Sequence, residues 1–73
     1  MVTRDELLLR KRLLEKAVSY TADGYLCLIL ETNVGYARLV HRNGNEVIIK
    51  RNDRFGTLDV VKNGVMQSIE EVH

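Results

Sequence analysis

The 73-residue chain holds one cysteine, two histidines and ten carboxylates, the groups from which most catalytic and metal sites are built. Cys27 sits between Leu26 and Leu28, where a free thiol behaves as a small buried hydrophobe. A nucleophilic thiol needs an exposed site and a base beside it. His41 precedes a tight turn with Glu46 across the strands from it, which reads as a surface pair rather than a catalytic dyad. His73 ends the chain and is expected to fray. Cys27, His41 and His73 with the scattered carboxylates give no pair at ligand spacing, so no metal is expected. Asp53, Asp59, Glu70 and Glu71 fall at turn or surface positions without acid/base pairing. None of the five glycines forms a phosphate loop. The expectation is a non-enzymatic protein without a cofactor.

One constellation has binding chemistry. Tyr36, Arg38, Arg42 and Arg51 are expected on one hairpin face, with Arg54 and Phe55 in the next turn. Guanidinium groups pair with phosphates and rings stack on bases, so this is a candidate surface for single-stranded nucleic acid or another ligand. The competing reading is a solvated rim whose arginines pair with Glu31 or Asp53. Net charge is only +1, so a polyanion partner must rest on that local patch. Residues 1–51 carry +3 and residues 52–73 carry −2, too small a split to count as a basic tail.

Composition sets the frame for these groups. The chain is 45% hydrophobic and 29% charged, as in globular domains and too apolar for disorder. Its length allows one domain, residues 1–73. A domain this small buries only about 60% of the surface its unfolded chain exposes. Disulfides, metals or oligomers commonly supply the missing stability. A single cysteine excludes an intrachain disulfide and suits a reducing compartment. No apolar run approaches the roughly 18 residues that span a bilayer. Residues 1–6, MVTRDE, do not read as a signal peptide. The expected location is the cytoplasm, with self-association as the first partner, an unidentified protein as the second, and no membrane.

A helix over about residues 4–20 opens on Thr3-Arg4-Asp5-Glu6, a capping box with acidic residues at the positive helix end. Asp23-Gly24 ends it. Leu7, Leu14 and Val18 form one ridge, and Leu9, Leu13, Ala17 and Tyr20 form another. Glu6 and Arg10 can pair between them. Leu8 lies outside both ridges. Two apolar ridges exceed what one sheet face usually needs. Either one of them packs on the sheet and Leu8 is an ordinary exposed leucine, or the second ridge and Leu8 meet another subunit. The expected oligomer interface is Leu8, Leu9, Leu13, Tyr25 and Ile29.

Strands are expected at about residues 25–32, 36–42, 45–51, 57–62 and 65–70. Asn43-Gly44 is the preferred pair for a two-residue type I′ loop. That loop would set Val40 opposite Val47 and Arg38 opposite Ile49. One hairpin face would then carry Tyr36, Arg38, Val40 and Arg42 with Asn45, Val47, Ile49 and Arg51. The other would carry Ala37, Leu39 and His41 with Glu46, Ile48 and Lys50. Neither face comes out polar, so both should be at least partly covered. Asn63-Gly64 repeats the hairpin signal. Its rival is a short C-terminal helix, with Val65, Met66, Ile69 and Val72 at helical spacing.

The fold class is α+β: an N-terminal helix followed by an antiparallel meander of four to five strands, or αββββα if the last segment is helical. The element order resembles that of small Sm-like and SH3-like barrels, which implies a small barrel; the same order also occurs where a helix lies across an open, curled sheet. A resemblance of order assigns no residue a role. The functional expectation is a small accessory module acting through protein–protein contacts, with a nucleic-acid-binding regulator as the alternative.

Overall fold

A computed structural model describes residues 3–71. Helix α1 (Arg4–Ala22) begins where Thr3 Oγ1 accepts the Glu6 amide at 3.2 Å, satisfying one of the donors that a helix start leaves unpaired. Asp23 caps its far end, and Gly24, at φ +97°, turns the chain into the sheet. Five strands follow: β1 (Tyr25–Glu31), β2 (Tyr36–His41), β3 (Glu46–Asn52), β4 (Thr57–Lys62) and β5 (Val65–Glu71). They form one antiparallel sheet in chain order, with β1 and β5 at its two edges.

The C-terminal segment is therefore a strand, not a helix. Asn63 and Gly64 have φ of 53° and 81° and form a two-residue loop between the paired residues Lys62 and Val65. Val72, which the helical alternative also used, and His73 lie outside the described residues. The sheet is open, not a barrel. Closure would need β1 to pair with β5, and α1 instead fills the concave side. The sheet curls around the helix far enough for Arg12 and Lys16 to reach Glu70 on β5.

The first Asn-Gly pair behaves differently from the second. The His41 amide donates to the Asn45 carbonyl at 2.8 Å, and the Gly44 amide donates to the His41 carbonyl at 2.9 Å. Arg42, Asn43 and Gly44 thus make a three-residue loop in which Gly44 alone takes positive φ, at 95°. This is the type I turn with a following bulge glycine. Val40 consequently pairs with Glu46 and Arg38 with Ile48, one residue from the register a type I′ loop would impose.

A one-residue slip exchanges the faces of a strand. Val47 and Ile49 join Ala37 and Leu39 on the helix side, and Leu58 and Val60 of β4 complete the layer. Leu13 and Ala17 of α1 are buried with them. Burying each large aliphatic side chain contributes about 1.5–3 kcal/mol. The expectation of two comparably apolar faces is corrected. The helix face is a true core, and the opposite face mixes Tyr36, Arg38, Glu46, Lys50 and Asp59 with Val40, Ile48 and Val61.

Candidate interaction surfaces

The basic and aromatic residues expected to share one face are divided. Tyr36 and Arg38 lie on the open face, and Arg38 is held by Glu46, with Nη2 at 2.6 Å and Nε at 2.7 Å from Oε2. The corrected register places Arg51 on the helix face, where its Nε lies 2.6 Å from Asp53 Oδ1, an ion-pair contact without hydrogen-bond geometry. Its backbone is locked too, because the Arg51 amide donates to the Gly35 carbonyl at 2.7 Å. Arg42 is exposed in the β2–β3 turn. Arg54 and Phe55 occupy the β3–β4 turn at the other end of the sheet, with the guanidinium 5.5 Å from the ring centroid.

The residues expected at an oligomer interface are also redistributed. Leu13 is fully buried in the core, and Leu8, Leu9 and Tyr25 pack against it, so the ridge expected to meet a partner meets the sheet. The ridge left outside is Leu7, Leu14 and Val18, exposed by 56%, 46% and 57%. Glu6 and Arg10 form no ion pair. The roll of the helix follows from its partners. Tyr20 meets Tyr25 edge-to-face at 5.3 Å, and Tyr25 meets His41 in the same way at 5.0 Å. On the opposite flank Arg12 and Lys16 bind Glu70. The Arg12 hydrogen bond holds the Glu70 carboxyl below its ordinary range, and burial pushes the Tyr20 hydroxyl up.

His41 is not paired with Glu46, which lies on the other face. Its Nδ1 accepts the Asn43 amide at 3.1 Å, and its ring closes the aromatic row above Gly24. Cys27 is half-buried on the helix face, and its thiol donates to the Ile29 carbonyl at 3.4 Å. Among the described residues no three His, Cys, Asp or Glu side chains converge as metal ligands. No helix there is long and apolar enough to cross a membrane.

Two surfaces escaped the sequence reading. The first is the outer strand β1. Leu26, Leu28, Ile29 and Leu30 all remain exposed, and a bulge at Leu28 interrupts the ladder to β2. Of these only Ile29 was singled out. The available signal was the unbroken apolar run Tyr25–Leu30, which lacks the alternation of a half-buried strand. The second is a cavity of about 600 Å³ on the open face, beside the β3–β4 turn. Its signal was Asp59, a carboxylate between Leu58 and Val60; expected at a turn or surface position, it is instead a β4 residue only 5% exposed.

Comparison with known proteins adds no relative: no family model, no curated protein and no solved structure matches the chain.

Proposed function

We propose that this chain is a small non-enzymatic interaction module that self-associates and acts through protein–protein contacts. The observation that carries this reading is β1. It is an edge strand, so its outward backbone donors and acceptors have no strand partner among the described residues. Edge strands are commonly protected by lysine, proline or a covering element. β1 has neither lysine nor proline, and its only charged residue is Glu31 at the end. Its bulge is the one protective device present. A two-fold axis beside such an edge pairs it with its own copy, the isologous arrangement most homodimers use. The exposed Leu26, Leu28 and Ile29 would then be covered by the same residues of the second chain.

Sedimentation of the full chain tests this. A dimer or larger species is expected at high micromolar concentration, and Leu26→Lys or Leu28→Lys should return it to monomer. A wild-type monomer across that range overturns the reading. The nucleic-acid alternative has weaker support: Arg38 and Arg51 are engaged by Glu46 and Asp53, and Arg42 lies at the opposite end from Arg54.

A further inference from the structure

The cavity on the open face is independent of β1 and of self-association. Thr57 and Asp59 of β4 form its floor, Met66 and Ile69 of β5 and Phe55 of the turn form its apolar walls, and Asn52 and Glu71 lie at its rim. Its volume is in the roughly 300–1,000 Å³ range of small-molecule sites.

Asp59 is the unusual member. It is only 5% exposed. Thr57 Oγ1 donates to its Oδ1 at 3.1 Å, and Asn52 Nδ2 lies 3.4 Å from its Oδ2. Those contacts fix the orientation of the group and use about half of the four acceptor positions a carboxylate offers. No lysine, arginine or histidine nitrogen among the described residues comes within salt-bridge distance of it, although four other carboxylates on this small protein have such partners. Removing a carboxylate from water is costly unless a cation or a full set of donors replaces the solvent. Here the replacement has room to arrive through a cavity walled by an aromatic ring, a thioether and an aliphatic side chain.

The geometry points to a site for a small organic cation: a primary ammonium that ion-pairs with Asp59, carried on an apolar body that packs on Phe55, Met66 and Ile69. Aromatic rings favour such cations by their negative faces, and charge-assisted hydrogen bonds to a carboxylate are the stronger kind. Three charged neighbours bear on the site. Arg54 covers the Phe55 ring. Glu71 adds a second carboxyl at the rim. Lys50 pairs across the strands with Asp59 on the same face, and its exposed ammonium is an intrachain competitor for the same carboxylate.

The test is an amide-shift titration of the full chain with 2-phenylethylamine and with 2-phenylethanol, which has the same shape without the charge. The amine should saturate, with shifts centred on Asn52, Phe55, Asp59 and Ile69. The alcohol should bind at least about tenfold more weakly, the loss of one charge-assisted contact. Asp59→Asn keeps the shape of the side chain, removes its charge and turns one acceptor oxygen into a donor, and should cost the amine a similar factor. Phe55→Ala, at a side chain 66% exposed, leaves the core intact and should weaken amine and alcohol together. Lys50→Met should leave amine affinity unchanged or raise it. Equal binding of amine and alcohol, amine binding indifferent to Asp59→Asn, or no saturable binding would each overturn the assignment. Because β1 takes no part, these outcomes are independent of whether the chain self-associates.

Discussion

Asn63 holds Glu46 by both of its backbone-facing groups: its amide donates to the Glu46 carbonyl at 2.9 Å, and its Oδ1 accepts the Glu46 amide at 2.8 Å. Its Nδ2 also donates to Asn45 Oδ1 at 3.0 Å. The β4–β5 turn is thereby tied to the start of β3. Asn63 is the only described non-glycine residue with positive φ, at 53°, a conformation asparagine tolerates better than most residues. Asn63→Ala removes the side-chain bonds and adds backbone strain. It should cost about 2 kcal/mol, combining roughly 1 kcal/mol from each source. Asn63→Gly relieves the strain and loses only the side-chain bonds, so it should cost less. Urea unfolding of the two variants measures the order, and equal costs would mean that the left-handed conformation contributes nothing.

Gly35 offers a second backbone test. A Cβ at Gly35 would lie 2.5 Å from Arg51 Cβ, and φ there is +81°. Gly44 has a similar φ of +95° with nothing within 4 Å. Gly44→Ala should therefore cost only the left-handed penalty, about 1–2 kcal/mol. Gly35→Ala adds an overlap with a side chain whose own backbone amide bonds Gly35, and overpacking costs about 1–3 kcal/mol more. Thermal melts of the pair should rank Gly35→Ala clearly lower. Matching melting temperatures would show that the Gly35–Arg51 contact relaxes freely.

Much of the architecture was legible in local chemistry. The Thr3 cap, the Asp23-Gly24 stop, the strand runs and the Asn63-Gly64 loop are each decided by a few adjacent residues. The Asn43-Gly44 loop is not. The same dipeptide also fits a three-residue loop, and the choice rests on Asn63, eighteen residues from Asn45, gripping Asn45 and Glu46. That single ambiguity carried the faces of the hairpin with it and grouped Arg51 with Tyr36 and Arg38. The helix roll was hidden for a similar reason. Its two ridges are alike in sequence, and contacts to Tyr25, just beyond the helix, and to Glu70, far along the chain, distinguish them. The cavity joins residues of β3, a turn, β4 and β5, and Asp59, expected at a turn or surface position, did not announce it.

Glu70 makes stability depend on acid. Its hydrogen bond from Arg12 holds its carboxyl below the ordinary carboxylate range, with burial opposing and Lys16 assisting at 3.5 Å. A carboxyl depressed in the folded state contributes fully above its unfolded value, near 4.5, and loses that contribution as pH falls through its lower folded value. Unfolding free energy should therefore drop as pH is lowered below about 5, with a smaller drop in Glu70→Gln. The difference between the two curves should be modest, about 1 kcal/mol or less, because the pair is partly solvated. Arg12 is raised by the same bond, so its share is present throughout this range and would fade only in strong alkali. Parallel curves for the two proteins would remove Glu70 from the acid response.

The roll of α1 is settled by comparing neighbours. Leu13 is completely buried against the sheet, whereas Leu14 is 46% exposed. Leu13→Ala opens a cavity between α1 and the buried side chains of β2, β3 and β4, which should cost about 2–5 kcal/mol. Leu14→Ala removes a side chain with much of its surface already in water. It should cost less than about 1 kcal/mol, partly offset by the higher helix propensity of alanine. The contrast also bears on self-association. If α1 rather than β1 meets a second copy, Leu14→Ala lowers the sedimentation coefficient while the monomer's stability is preserved. If β1 is the contact, Leu14→Ala leaves sedimentation unchanged, and only the lysine substitutions at Leu26 and Leu28 return the chain to monomer.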